Sequence, residues 1–397
     1  MSVIRFHSNS APTLGIELEL ALVDPTTFEL TSAAPAILSH VPQRWSRFVK
    51  PELMQCYLEI NTAVCRTVDE AHADLAEKLV ALETIADQEG VLYYWSGAHP
   101  FSRWEEQRAT EDERYARLLE LLEDMGRRLV TFGLHVHVGV DSGDKAVMIC
   151  DRIMRHLPVL LALSCNSPWW NGRVSGLASH RSKIMEGLPT AGLPPLMRNW
   201  SEFVWLVNHL QQTGFINSIR DIWWMVRPHH NFGTVEVRVC DMPGRLEDVS
   251  ALAALIQCLV AALSEEIDLG TYQHDCHPMM VRQNIWRAER FGLDTEFVDA
   301  FTHDTLPARQ LGRNLCDRLE GTAKKLRCTN WLARASDLFS EPTWAERQLE
   351  MLREAGGDLR AVVREMTALS RMSPAPEVSL GTRGSAASGR RSDQRPA

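Results

Sequence analysis

The chain has 397 residues, of which 45% are hydrophobic and 23% charged, proportions of a folded globular protein rather than a disordered or fibrous one. A formal net charge of −9 argues against a sequence-independent hold on a phosphate backbone, which needs basic surface. No apolar run approaches the ~20 residues of a membrane span, and Met1 to Asn9 lacks a charged-then-apolar signal pattern.

Nucleic acid and membrane are therefore set aside as partners, and the cytosol is the expected location. The nine cysteines are scattered through apolar stretches without C-x-x-C spacing, so they read as reduced, buried thiols. His274, Cys276 and His277 lack a second half at zinc-finger spacing and read as a loop.

Taken in chain order, Leu14 to Val23 alternates Leu14, Ile16, Leu18, Leu20 and Leu22 with Gly15, Glu17, Glu19 and Ala21. Period two predicts a half-buried strand, stopped by Asp24-Pro25. A second strand is expected over Leu53 to Asn61, then a helix over Val68 to Gln88 with Ala71, Leu75, Leu79 and Leu82 on one face. Glu105 to Leu129 reads as one amphipathic helix. Thr131 to Val140 alternates again and places Gly133, His135, His137 and Gly139 on one side.

Lys145 to Ser164 is apolar enough for a buried helix bent at Pro158. Asn166 to Asn199, punctuated by Pro and Gly, is expected to be a long functional loop. The last clear strand is Thr234 to Cys240, with Glu236 and Arg238 opposite Val235, Val237 and Val239. Helical patterns run from Leu246 to Ile267 and in pieces to about Leu369. Ser373 to Ala397, rich in Ser, Gly, Ala, Pro and Arg, reads as a disordered tail, which leaves residues 1–372 as a single domain. Strands and helices interleave without a doubly wound rhythm, so the fold class is α+β.

Three strands thus put Glu17 with Glu19, His135 with His137, and Glu236 with Arg238 on polar faces. On any one strand, solvent exposure explains such a face. Three faces carrying Glu, His and Arg rather than Lys, Thr and Ser point to a shared cleft. Carboxylates two residues apart on a strand sit ~6.6 Å from each other and repel by roughly 2 kcal/mol, so several of them converging call for cations. Carboxylate oxygens suit magnesium or manganese, which bridge protein to substrate phosphates. Neither a phosphate-binding G-x-x-x-x-G-K-[ST] loop nor a G-x-S-x-G nucleophile motif is present.

The chain resembles the type 2 glutamate–cysteine ligases, carboxylate–amine ligases related to the glutamine synthetase superfamily. The matching stretches are Thr13-Leu-Gly-Ile-Glu-Leu-Glu19, Pro51-Glu-Leu-Met-Gln-Cys-Tyr-Leu-Glu59 and Gly133-Leu-His-Val-His-Val-Gly139. Leu163-Ser-Cys-Asn-Ser-Pro168, His180-Arg-Ser182 with Pro189-Thr-Ala-Gly192, and Thr234-Val-Glu-Val-Arg-Val-Cys-Asp241 follow in the same order. The last matches are Glu346-Arg-Gln348 and Gly357-Asp-Leu-Arg-Ala-Val-Val363. Phe232-Gly233 departs from the Tyr-Pro pair common in the family, and the tail beyond Ser373 has no counterpart there.

The resemblance implies a funnel-shaped active site on an antiparallel sheet, with helices on its outer face and ATP and magnesium inside. It implies Glu17, Glu19, Glu59, His137 and Glu236 as metal ligands, with Glu52, seven residues before Glu59, as a further one. Arg238 and Glu236 become the catalytic pair, and Arg181 and Arg238 the contacts to phosphate or substrate carboxylate. The implied reaction passes the γ-phosphoryl group of ATP to a carboxylate, after which an amine displaces phosphate. The substrates would be small carboxylates and amines, with glutamate and cysteine as the family's pair, and the assembly a homodimer. Two competing readings are a binding protein on a ligase scaffold and a metal-dependent amide hydrolase. Trp169-Trp170 and Trp223-Trp224 read as core or loop anchors, His135 as a structural histidine, and Arg227 with His229-His230 as loop residues outside the site.

Overall fold

Alternating Leu and Ile residues along β1 (Leu14–Val23) bury one face of a central strand, and six further strands assemble on its edges. The structure, a computed structural model, describes residues 4–271, 277–299 and 302–372. The strands are β2 (Val49–Pro51), β3 (Tyr57–Asn61), β4 (Leu92–Tyr94), β5 (Gly133–Gly139), β6 (Val226–His229) and β7 (Thr234–Asp241). Their order is β6-β7-β5-β1-β3-β2, and β4 pairs with the far end of β1. Every pairing in this sheet is antiparallel.

Helices cover the apolar face. The helix α1 (Val68–Gln88) starts where Thr67 accepts from the Glu70 N–H, and it buries Ala71, Leu75, Leu79 and Leu82. It packs on β1 and on the long helix Leu246–Asp268, which also lies against β5. That long helix is apolar and long enough to cross a membrane by length and composition, contrary to the sequence reading. Of its most apolar window 83% is buried inside the protein, the position of a core helix. A second, smaller core gathers around Phe203 on helix Trp200–Gln212 and includes Trp224.

Several boundaries differ from the sequence expectations. The strand expected over Leu53–Asn61 begins only at Tyr57, because the backbone of Leu53 and Gln55 bonds instead to residues 108–110. The helix expected over Glu105–Leu129 is broken into Glu113–Leu122 and Asp124–Arg127 by Glu123, whose φ is +47°. The buried helix is likewise two, α2 (Gly143–Ile153) and α3 (Leu157–Ser164). Pro158 starts the second rather than bending one, since its missing N–H is harmless in a first turn. The passage from Asn166 to Asn199 contains a helix, α4 (His180–Glu186), capped by Ser179. His274, Cys276 and the tail from Ser373 lie outside the described residues; the eight described cysteines are free and buried.

Candidate active site

Cross-strand register decides which charges meet. Glu17 lies opposite His135 on one side and Asn61 on the other, and Glu19 opposite Glu59. Glu236 stands between His137 on β5 and Arg227 on β6, and Lys50 on β2 faces Glu59. Because side chains alternate along a strand, these pairings put the whole set on one face. A register shift between Val237 and Cys240 marks where Arg238 leaves the regular ladder.

The contacts form a continuous strip. His135 Nδ1 lies 3.2 Å from Glu17 Oε2, and its Nε2 3.8 Å from Glu19 Oε1. His137 Nδ1 bonds Thr234 Oγ1 at 3.0 Å, which turns Nε2 toward Glu17 Oε1 at 3.3 Å and Glu236 Oε1 at 3.8 Å. Arg227 Nε donates to Glu236 Oε2 at 2.7 Å, and Arg238 Nη1 donates to Glu236 Oε1. The Glu236 side chain is 1% exposed and forms the floor, whereas Glu17 at 17% lies nearer the mouth.

Charge is balanced group by group. Burial alone would raise the Glu236 carboxyl, but Arg227, Arg238 and His137 hold it well below the usual carboxylate range. Burial works the same way on Glu17 and is outweighed by attraction to His137 and by the hydrogen bond from His135. His137 itself is raised: burial would lower it, and Glu236 and Glu17 prevail. The repulsion inferred from the carboxylates alone is thus largely met by protein cations.

A second group continues the strip toward β2. Glu59 Oε1 accepts from Lys50 Nζ at 2.9 Å and from Asn61 Nδ2 at 2.6 Å. Glu52 shares a hydrogen bond with Glu59, and burial followed by repulsion from Glu59 and Glu19 lifts its carboxyl well above the usual range. The Glu52 carboxyl thus resists ionisation beside Glu59.

Arg181, on α4, is brought under the end of the same strip. Its side chain is buried, with Nη1 3.9 Å from Asp241 Oδ1 and Nη2 donating to the Arg238 carbonyl at 3.4 Å. Its Nε has no partner among the described residues. Asp241 is held by the Asn166 N–H and by the Ser167 and Ser179 hydroxyls, at 2.7–2.9 Å. Arg181 fills the space beside Gly133, where a Cβ would meet its guanidinium. Arg181 and Arg238 line one small pocket together with Gly192 and Trp224.

The donor set fits a hard divalent cation. Glu17, His135 and Glu236 each offer a ligand atom, and these atoms lie within 4.8 Å of one another. His137 Nε2 is buried without a hydrogen-bond partner and points at two carboxylates, as a nitrogen awaiting a ligand would.

Comparison with known proteins assigns the chain to a family. Glutamate-cysteine ligase family 2 (GCS2) matches residues 13–365. The chain belongs to this family. A relative from Gloeobacter violaceus, named "Putative glutamate--cysteine ligase 2", is 40% identical over 92% of this chain and 98% of its own length. One from Frankia casuarinae, "Putative glutamate--cysteine ligase 2-1", is 41% identical over 91% of this chain and 95% of its own. Among solved structures, the glutamate–cysteine ligase of Francisella tularensis, a complex with AMP, shares the fold with a TM-score of 0.67 at 13% identity, covering 91% of this chain and 89% of that one. The bifunctional glutathione synthetase of Pasteurella multocida gives 0.66 at 13% identity over 90% of this chain, which spans about half (52%) of that protein. The α+β architecture expected from the sequence, an antiparallel sheet with helices on its apolar face, is the one found here.

In this member of glutamate–cysteine ligase family 2, the structure brings Glu17, Glu19, Glu52, Glu59, His137, Glu236 and Arg238 onto one face, with Arg181 adjoining. Sequence reading passed over His135, Arg227, Lys50 and Asn61. His135 bridges Glu17 and Glu19 and touches Arg238 Nη1 at 3.4 Å, so it belongs to the constellation. Arg227 is buried, not a solvated loop residue; the hairpin that returns through Gly233 at φ +64° sets it opposite Glu236. A glycine just before a strand was the one sequence signal for that turn.

Proposed function

We propose that this protein is an ATP-dependent carboxylate–amine ligase of the glutamate–cysteine ligase type, which joins a carboxylate to an amine through an acyl phosphate and releases ADP and phosphate. Family membership supplies the reaction class. The observation that carries the site is the strip from Glu59 through Glu19, Glu17, His135 and His137 to Glu236, which ends on Arg238 and Arg181. The AMP complex of the Francisella protein, on the same fold, supports an adenine nucleotide as a ligand.

Glu17, Glu19, Glu59, His137 and Glu236, joined by His135, are the residues that would hold magnesium, with manganese as a substitute. Glu52, its carboxyl raised by burial and by repulsion from Glu59 and Glu19, backs Glu59. Magnesium held by these residues would supply positive charge to offset that of the nucleotide phosphates.

The remaining work falls to the chain's own residues. Arg238, anchored on Glu236, presents a fixed guanidinium to the substrate carboxylate and then to the phosphoryl group it accepts. Arg181 adds positive charge at the same pocket, steadied from behind by Asp241. Arg227 locks Glu236 in place, so ligand atoms do not reorganise during transfer. Burial of the floor keeps water from the acyl phosphate, which lets an amine compete as nucleophile. Glutamate as the acid and cysteine as the amine follow from the names of the relatives.

Coupled ADP release tests the reading. It should require magnesium and an acid plus an amine together, and Glu236→Gln should abolish it while the protein stays folded. Substrate-dependent ADP release that survives this substitution would sink the site assignment.

A further inference from the structure

One buried carboxylate is left without work by the reaction as described. Glu289, on helix Pro278–Phe291, is fully buried. Lys183 Nζ lies 2.5 Å from its Oε2 but also serves Glu186 at 2.7 Å, and Oε1 has no partner among the described residues. Native proteins rarely leave a buried carboxylate oxygen unanswered unless something else answers it. Burial pushes the Glu289 carboxyl up to about 7, against the pull of Lys183.

Glu289 lines a cavity of about 430 Å³, together with Lys183, Glu186, Gly192, Met225, Arg282 and Trp286. Three of these, Glu186, Gly192 and Met225, also line the pocket of Arg181 and Arg238. Gly192, common to both linings, has φ +89° and leaves the space beside its Cα empty. Trp286 stands at the rim, 49% exposed, with Lys183 Nζ 5.0 Å from its ring centroid. A half-paired carboxylate and an aromatic face both favour a small cation that donates hydrogen bonds. The exposed Arg282 supplies the opposite charge at the rim.

We infer that this cavity is the subsite for the amine substrate, with Glu289 Oε1 accepting from its ammonium group and Arg282 facing the carboxylate where the amine is an amino acid. The shared lining at Glu186, Gly192 and Met225 sets that amine next to the Arg238 pocket. The role as a substrate subsite rests on the ligase reading above; the binding itself does not.

Two measurements on the intact protein separate these. Tryptophan fluorescence, with Trp286→Phe as the control for its origin, is followed during titration with ethylamine, alanine and propionate. Ethylamine and alanine should bind saturably and propionate should not. Glu289→Gln should weaken both amines at least tenfold, whereas Arg282→Glu, on the surface and safe for folding, should weaken alanine and spare ethylamine. Propionate binding as tightly as ethylamine, or ethylamine binding indifferent to Glu289→Gln, would overturn the cavity assignment.

In turnover, Glu289→Gln should raise the KM for the amine at least tenfold and leave that for ATP unchanged. An unchanged amine KM overturns the subsite. If Glu289-dependent amine binding holds while no acid and amine pair releases ADP, the ligase reading falls and the ammonium site stands.

Discussion

Arg227 and Glu236 form a buried two-point ion pair across β6 and β7, with Nε 2.7 Å from Oε2 and Nη2 3.3 Å from Oε1. The remaining Arg227 nitrogen, Nη1, donates to the carbonyls of Ile219 and Ile222, so one guanidinium fastens a loop, a hairpin and the floor of the site. Arg238 approaches Glu236 from the other side, and a single carboxylate thus organises two arginines.

Removing one partner of such a pair strands a buried charge. Arg227→Met should lower stability by about 3–5 kcal/mol, the usual cost of an uncompensated buried ion, as read from urea unfolding. Arg227→Lys should recover only part of this, because a point charge cannot reproduce the fork. A loss below ~1 kcal/mol for Arg227→Met, the range of surface pairs, would mean the pair is not desolvated as drawn.

Glu52 and Glu59 are adjacent acids in different surroundings, and that difference makes them separable. Glu59 accepts hydrogen bonds from Lys50 and Asn61, whereas burial and repulsion from Glu59 and Glu19 raise the Glu52 carboxyl. Glu59→Gln should weaken manganese binding tenfold or more in calorimetry. Glu52→Gln should stay within about threefold, as befits a group acting through a ligand rather than as one. Equal losses for the two variants would make Glu52 a ligand in its own right.

Gly133 lies at the crossing of two parts of the site. Its N–H donates to Glu19 Oε2 at 2.5 Å, and the space beside its Cα is filled by the Arg181 guanidinium. Gly133→Ala should displace Arg181 and cost about 1–3 kcal/mol of stability, the range for overpacking. The accompanying rise in KM for ATP should exceed tenfold if Arg181 contacts phosphate. An unchanged KM with reduced stability would leave Arg181 a purely structural residue paired to Asp241.

How far the site could be read from the sequence depends on the range of the interaction. Glu17, Glu19, His137, Glu236 and Arg238 were legible because a strand's two-residue period is local and their apolar neighbours mark the opposite face. Lys50 and Arg227 were not, since each is defined by the strand across from it, and register is set by hairpin turns. His135 shows the same limit: its spacing placed it on the right face, but only the fold shows that both its nitrogens meet carboxylates. The helix α1 was legible to its ends because its Thr67 cap and apolar stripe agree. The break at Glu123 was hidden, since no Gly or Pro announces it.

Away from the site, His99 gives the fold a pH dependence. Its Nε2 bonds the Phe28 carbonyl at 2.9 Å, while Nδ1 accepts from the Phe101 and Ser102 N–H groups at 3.3 and 3.0 Å. A ring that donates at one nitrogen and accepts at the other must be neutral, and burial lowers its pKa to about 3. The unfolded chain takes up this proton near pH 6.5, and the folded chain refuses it until about pH 3. Between those values the unfolded state binds more protons, so stability falls as pH falls, by about 1.4 kcal/mol per pH unit from this one group. His156 and His229, also lowered to about 3, act in the same window. His99→Gln should therefore flatten the slope of unfolding free energy between pH 6 and 4, by about one proton relative to the parent protein. The slope, not the absolute stability, is the readout, because the substitution also disturbs the Phe28 contact. An identical slope in the two proteins would show that His99 is protonated in the folded state.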